Sequence, residues 1–367
     1  MGSGGFRYRQ TVRQRSDHDL PELRRRIGDV SQLVSTRAAR LSDGNEDGVR
    51  IIDVRATGGL SAVILADRGL DLGPVWAAGH QVSWQSTTGV VHPAYFEERN
   101  WLRSFHGGLL TTCGLQNVGL PSEDEGTSHG LHGRISTVPA RNVIHRVVEE
   151  DGRLVAEVSG EMRETDVFGN DLLLRRRIRL PMGETVLHVE DEIVNRSFAP
   201  AAVLILYHVN LGYPVVADGA RLIGPPADVV GRDEAAQAII ADHDRFASPR
   251  DGVREHVFEH RLRDPGAGPA SISVVNPTHG PTGGIAVTVT WDTRQLPRLW
   301  QWRMLGPGMY VTGLEPANCG LAGRAAEREA GSLEMLEPGA SRRSGVSIRI
   351  SLGEEAAGLV APEGQSR

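Results

Sequence analysis

Two short segments fix the fold class. In GIAVTVTWD, Ile285, Val287, Val289 and Trp291 alternate with Ala286, Thr288, Thr290 and Asp292. In GVSIRISLG, Val346, Ile348, Ile350 and Leu352 alternate with Ser347, Arg349 and Ser351. A period of two sends successive side chains to opposite faces of an extended chain, the pattern of an antiparallel strand with one face on a core. Similar runs recur at LSAVILAD, RLVAEVSGEM, DLLLRRRIRLP and AAVLILYHVNL, and less cleanly at ETVLHVEDEIVN. Asp151-Gly152, Gly169-Asn170, Gly183, Asn195-Arg196-Ser197 and Gly283-Gly284 punctuate them as turns. The 44 glycines and 20 prolines suit a chain that reverses so often.

Strands are spread from about residue 50 to 353, with no low-complexity linker and no fixed-period repeat. The expected architecture is all-β: one large antiparallel β-sandwich domain over residues 17–355, a short N-terminal helical extension, and flexible tails at 1–16 and 356–367. DLPELRRRIGDVSQL supplies the helix, with Pro21 in its first turn, a polar cap before it and Gly28 as its C-cap. GRAAEREAG (323–331) reads as one short helix, and the arginine clusters at 24–26 and 175–177 read as solvated faces.

The net charge of -6 gives no electrostatic footprint for nucleic acid. No run of about 18 apolar residues marks a membrane helix, and the N-terminal stretch lacks the apolar core of a secretory signal, so a cytoplasmic location is expected. Cys113 and Cys319 form no CxxC and read as reduced, partly buried thiols. All 40 basic residues are arginine. Without lysine there is no Schiff-base chemistry, no lysine-tethered pyridoxal phosphate and no P-loop. No GxGxxG opens a helix and no GxSxG elbow occurs.

Several polar, glycine-rich stretches sit at strand ends, where binding groups concentrate. ADRGLDLG carries Arg68 and Asp71; SFHGGLLTTCGLQNVG carries His106, Gln116 and Asn117; SHGLHGR carries His129, His132 and Arg134. YHVNLGYP holds His208 and Asn210, and GLEPAN holds Glu315 and Asn318. Proton-transfer chemistry needs a carboxylate, one or two histidines and polar side chains that hold a hydroxylated substrate. Glu315, His208 and His132 can supply the first two requirements. Arg68, Asp71, Gln116, Asn117, Arg134 and Asn210 can supply the third. Trp84, Trp300 and Trp302 offer flat faces for the C–H side of a sugar ring. The HxxH spacing also leaves open a metal held by His129 and His132 with His106 or His208, and Glu315 as a fourth ligand.

HGLHGR, then YHVNLGYP, then GLEPAN across an all-β chain resembles the aldose 1-epimerase (galactose mutarotase-like) superfamily. DRGLDLGPVWAAGHQVSW and FHGGLLTTCGLQNVG bring it closest to the DUF4432 branch of aldose 1-epimerase-like proteins. The resemblance covers roughly residues 20 to 353. It implies a β-supersandwich with an open groove across one sheet and no cofactor. It further implies catalytic roles for His132, His208 and Glu315, and a small sugar as the partner of a monomer or homodimer. The superfamily's substrate-binding arginine has no counterpart in SFHGGLLTTCGLQNVG, where His106, Gln116 or Asn117 stands instead, or Arg68 reaches in. Its further aspartate is matched most nearly by Glu255 in REHVFEH. Trp300 and His129 complete the expected binding set. Three activities follow: mutarotation of an aldose; a related sugar or keto-sugar isomerase, epimerase or lyase reaction, with a metal on His106, His129, His132 or His208 as one form; or carbohydrate binding without catalysis.

Overall fold

The computed structural model describes residues 20–279 and 283–360. An 11-stranded and an 8-stranded antiparallel sheet dominate it, with three two-stranded ribbons beside them. The smaller sheet runs in the order 141–150, 153–165, 171–181, 186–195, 341–352, 285–292, 269–276, 221–223. In the larger sheet the neighbours that matter for function are Leu110–Leu115, Leu204–Leu211, Met309–Ala317, Arg298–Gly306 and His256–Leu262, in that order. The all-β sandwich expected from the alternation is therefore present.

Its core explains the alternation. Leu172, Leu174, Ile178 and Leu180 of one strand and Leu187, Val189 and Ile193 of the next point inward from the smaller sheet. Ile205, Tyr207, Val209 and Leu211 meet them from the larger sheet. The missing inward positions are Arg176 and Asp191, which are register partners. Arg176 donates to Asp191 at 2.6–2.8 Å and to Asp71 at 2.5 Å. Asp191 also accepts from the Tyr207 hydroxyl at 2.8 Å. This buried network corrects the reading of residues 175–177 as a solvated face: Arg175 and Arg177 are outside, while Arg176 is 1% exposed. It also explains why ETVLHVEDEIVN alternates imperfectly, since an aspartate holds an inward position.

The N-terminal helix is shorter than its sequence pattern. Leu20–Arg24 forms one turn, Val30–Gln32 a 3₁₀ turn, and Gly28 is outside both. Its polar cap precedes the described residues, as do residues 1–16. The short helix within 323–331 is present as Arg324–Glu329. At the other end, Glu354–Gly358 is a helical turn whose Ala356 packs with Val275 and Ala286. That turn runs past 355, with Ala356 packed on the neighbouring strands 269–276 and 285–292; residues 361–367 lie outside the description. Among the described residues no helix is long and apolar enough to cross a membrane.

Candidate active site

Strand Leu204–Leu211 is buried on both faces. Alternation gives Tyr207 to the sandwich interior and Leu204, Leu206, His208 and Asn210 to the outer face. There a second apolar cluster gathers Trp84, Trp101, Phe105, Cys113, Leu206, Trp300, Val311 and Cys319. The loops after residue 84 and around residue 118 supply part of this cluster, so they cover the outer face and desolvate what lies beneath.

His208 and Glu315 stand side by side on that face. Val209 opposes Leu314 and Leu206 opposes Ala317, a register that sets residue 208 across from residue 315. His208 Nε2 approaches Glu315 Oε1 to 3.2 Å without hydrogen-bond alignment. Glu315 Oε1 and His208 Nδ1 are buried with no hydrogen-bond partner. Gly313 makes the pair possible, because a Cβ there would lie 2.6 Å from Glu315 Oε1 and 2.9 Å from His208 Cε1.

His132 arrives from the loop. Its φ of 56° and the 67° of Gly133 bend the chain through the left-handed region. A Cβ on Gly133 would collide with the carbonyls of Gly114 and Asn117. The loop is stitched down by His132 N to Gly119 O at 2.9 Å, Gly114 N to His132 O at 3.0 Å and Arg134 N to Gly114 O at 3.1 Å. The Gly119 amide faces His132 Nδ1 at 3.4 Å. An amide can only donate, so the neutral ring carries its proton on Nε2. Ring centroids of His132 and His208 are 6.0 Å apart. Trp101 packs on His132 at 4.9 Å, while Phe105 and Trp302 pack on His208 at 5.3 and 5.5 Å.

Burial decides the protonation states. It pushes Glu315 up to about 8, with Arg232 opposing and Glu255 reinforcing. It pushes His208 down to about 3, helped by His132 and opposed by Asn210 beside it. His132 falls to about 4 for the same first reason, with Glu255 opposing and Arg232 reinforcing. Near pH 7 both members of the pair are therefore neutral. Arg232 and Glu255, paired at 3.1 Å, stand at its rim, and Trp302 Nε1 donates to Glu255 at 3.0 Å.

The remaining sequence candidates divide by location. Trp300 is the register partner of Glu315, and its indole donates to Cys319 O. Asn210 donates to the carbonyls of Gly107 and His208. Asn117 donates to Leu120 O and Gly130 O and accepts from Arg324 N, which ties down the His132 loop. Gln116 accepts from Asn170, and Arg134 reaches Thr165 O and Asp166. His129 lies buried on a small hairpin. His106 is fully buried with both ring nitrogens unpartnered, and burial holds it well below the usual imidazole range. Two more candidates, like Asn117, are occupied structurally. Arg68 spends its guanidinium on Ser136 O, Val91 O and Ser104 O, bracing three loops. Asp71 is bound to Thr112 and Arg176 inside the sandwich. Neither is left free to meet a substrate. Among the described residues no three His, Cys, Asp or Glu side chains are arranged to hold a metal ion. Sequence reasoning missed Arg232, Trp101 and Phe105, whose signals are ordinary, and Gly313, which could have been read from its place two residues before Glu315 on one strand face.

The two-sheet β-sandwich is similar in fold to solved galactose mutarotase-like proteins. Residues 46–350 match the family described as a domain of unknown function, DUF4432, and the chain belongs to it. A solved structure from Klebsiella pneumoniae subsp. pneumoniae MGH 78578, provisionally described as an aldose 1-epimerase, is similar at 24% identity over 89% of this chain and 86% of that one, with a TM-score of 0.83. Galactose 1-epimerase from Lactobacillus acidophilus NCFM is similar at 15% identity, 88% and 100% coverage, and a TM-score of 0.56. A galactose mutarotase related enzyme from Lactobacillus acidophilus gives 14%, 88%, 99% and 0.55. At these identities the likeness is one of fold. No curated protein matches the chain.

Proposed function

We propose that the protein is a sugar isomerase of the aldose 1-epimerase type, interconverting anomers by acid–base ring opening and closure. The observation that carries this reading is the 3.2 Å approach of His208 Nε2 to Glu315 Oε1 in a buried site with His132 alongside. Names of the fold neighbours, a galactose 1-epimerase among them, support the same class.

In this reading Glu315 takes the proton of the anomeric hydroxyl while His208 gives one to the ring oxygen. That leaves the carboxyl protonated and the imidazole neutral over an open-chain carbonyl sugar. It is the state burial favours. Rotation about C1–C2 presents the other carbonyl face. His208 then takes the proton back from the hydroxyl that becomes the ring oxygen, Glu315 returns one to the carbonyl oxygen, and the opposite anomer closes. His132 donates a hydrogen bond from Nε2–H to a ring or hydroxyl oxygen. Entering hydroxyls solvate the charged form of the pair, which recovers the ionisation that burial suppresses.

Each proton-transfer partner contributes about 10²–10⁴-fold. Glu315→Gln and His208→Ala should each lower anomer exchange by that order, read by exchange NMR on a panel of aldoses, with the melting temperature retained. Wild-type turnover in both variants would end the assignment.

A further inference from the structure

The line of the catalytic strand leads to a second depression. His208 and Asn210 share the outer face, and Gly212 continues that direction. Two residues of extended chain advance roughly 6.7 Å, so Gly212 lies roughly 13 Å from His208. Gly212 helps line a groove of about 290 Å³ together with Gln81, Trp84, Gln85, Tyr213 and Tyr310. The Trp84 ring also touches Phe105 at 5.8 Å and Trp302 at 5.9 Å, the two rings that pack on His208. The groove's Trp84 and the rings on His208 therefore belong to one continuous aromatic layer.

The groove's chemistry is specific. Gln85 Nε2 is buried and has no hydrogen-bond partner, although its backbone is fixed opposite Gly107. Tyr213 is 71% exposed, an apolar ring left in water at the groove's edge. No charged side chain lines the groove, so an anionic group would find no counter-charge. Gln81 opposes Trp76, which lines a larger depression of about 490 Å³. Aromatic faces edged by amides complement a sugar ring, whose C–H face is apolar and whose hydroxyls both give and accept hydrogen bonds.

We infer that this groove is a second saccharide subsite, and that the substrate is an uncharged reducing oligosaccharide or glycosylated aldose. Its reducing ring reaches His208 and Glu315, and its next ring lies against Trp84 and Tyr213 with Gln85 as a polar contact. The orientation of the reducing end rests on the proposed function; the subsite itself does not.

The test titrates the full-length protein with neutral reducing disaccharides (cellobiose, maltose, lactose, melibiose) and with their component monosaccharides. Saturation-transfer NMR reads binding and exchange NMR reads anomer conversion. At least one disaccharide should bind about tenfold more tightly than either of its monosaccharides. Tyr213→Ala and Gln85→Ala should each erase most of that advantage without lowering the melting temperature. Equal affinities for disaccharides and monosaccharides, no binding by either, or an advantage that survives both substitutions would overturn the subsite. Disaccharide binding that depends on Tyr213 but brings no anomer exchange would uphold the subsite and remove the proposed reaction.

Discussion

Gly313→Ala tests the geometry of the pair more sharply than removing either member. Gly313 stands two residues before Glu315 on one strand face, opposite Asn210. The added methyl would lie 2.6 Å from Glu315 Oε1, 2.9 Å from His208 Cε1 and 3.2 Å from His208 Nδ1. Non-bonded contacts settle at about 3.5–4.0 Å, so the carboxyl must retreat by roughly 0.9–1.4 Å and the imidazole by roughly 0.6–1.1 Å. The pair begins at 3.2 Å, the upper end of the roughly 2.6–3.2 Å over which protons move directly. A displacement of about 1 Å in a catalytic constellation can cost about 10²-fold. Overpacking a buried site costs about 1–3 kcal/mol, and Gly313 is not among the positive-φ glycines, so alanine meets no backbone penalty. The variant should fold, lose about 1–3 kcal/mol in urea unfolding, and exchange anomers about 10²-fold more slowly on a sugar the wild type converts. Wild-type exchange with unchanged stability would mean that the carboxyl and imidazole do not sit together as described.

The interior network and the titrating groups give two further expectations. Arg176→Ala leaves Asp71 and Asp191 buried without their cation; breaking such a pair costs about 3–5 kcal/mol, and the urea midpoint should fall accordingly. Burial raises Glu164 to about 7 and Glu315 to about 8, whereas carboxyls in an unfolded chain titrate near 4.3. The folded state therefore holds protons that the unfolded state has released. The stability linked to them is complete below about pH 4.3 and is lost as pH rises through about 7 to 8. His132 and His208 run the other way: lowered to about 4 and 3, they add stability above the unfolded value near 6.5 that disappears as pH falls through those values. Urea unfolding from pH 3 to pH 9 should thus decline at both ends, and Glu164→Gln should flatten part of the alkaline limb. An alkaline limb identical in Glu164→Gln and wild type would remove Glu164 from that account.

The fold was legible because strand alternation is a local signal and this chain repeats it many times. The proposed proton-transfer residues were singled out through short motifs rather than spacing, since residues 132, 208 and 315 are far apart in the chain and only the sheet register joins the last two. What stayed hidden was partnership. Arg68 and Asp71 sit in a motif that looks like a binding loop, yet each is consumed by groups remote in sequence, Ser136 and Val91 for one and Arg176 for the other. Arg176 looked solvated because its neighbours are; only the parity of its strand turns it inward. Arg232 carries no motif at all and matters because the strand order brings it beside Glu255.

Strand Leu204–Leu211 is braced from below and used from above. Tyr207 points into the sandwich and ties the strand to Asp191 and Ser344 of the opposite sheet, while His208, one residue on, faces the site. Register with the neighbouring strand then sets Glu315 without any loop taking part. Groups held this way keep their separation within the tolerance acid–base chemistry needs. The aromatic rings and the third histidine come from loops, which can change without disturbing the pair. The spacing of His208 and Glu315 is therefore a property of the sandwich, whereas under the proposed function the choice of sugar would be a property of what the loops and the neighbouring groove present to it.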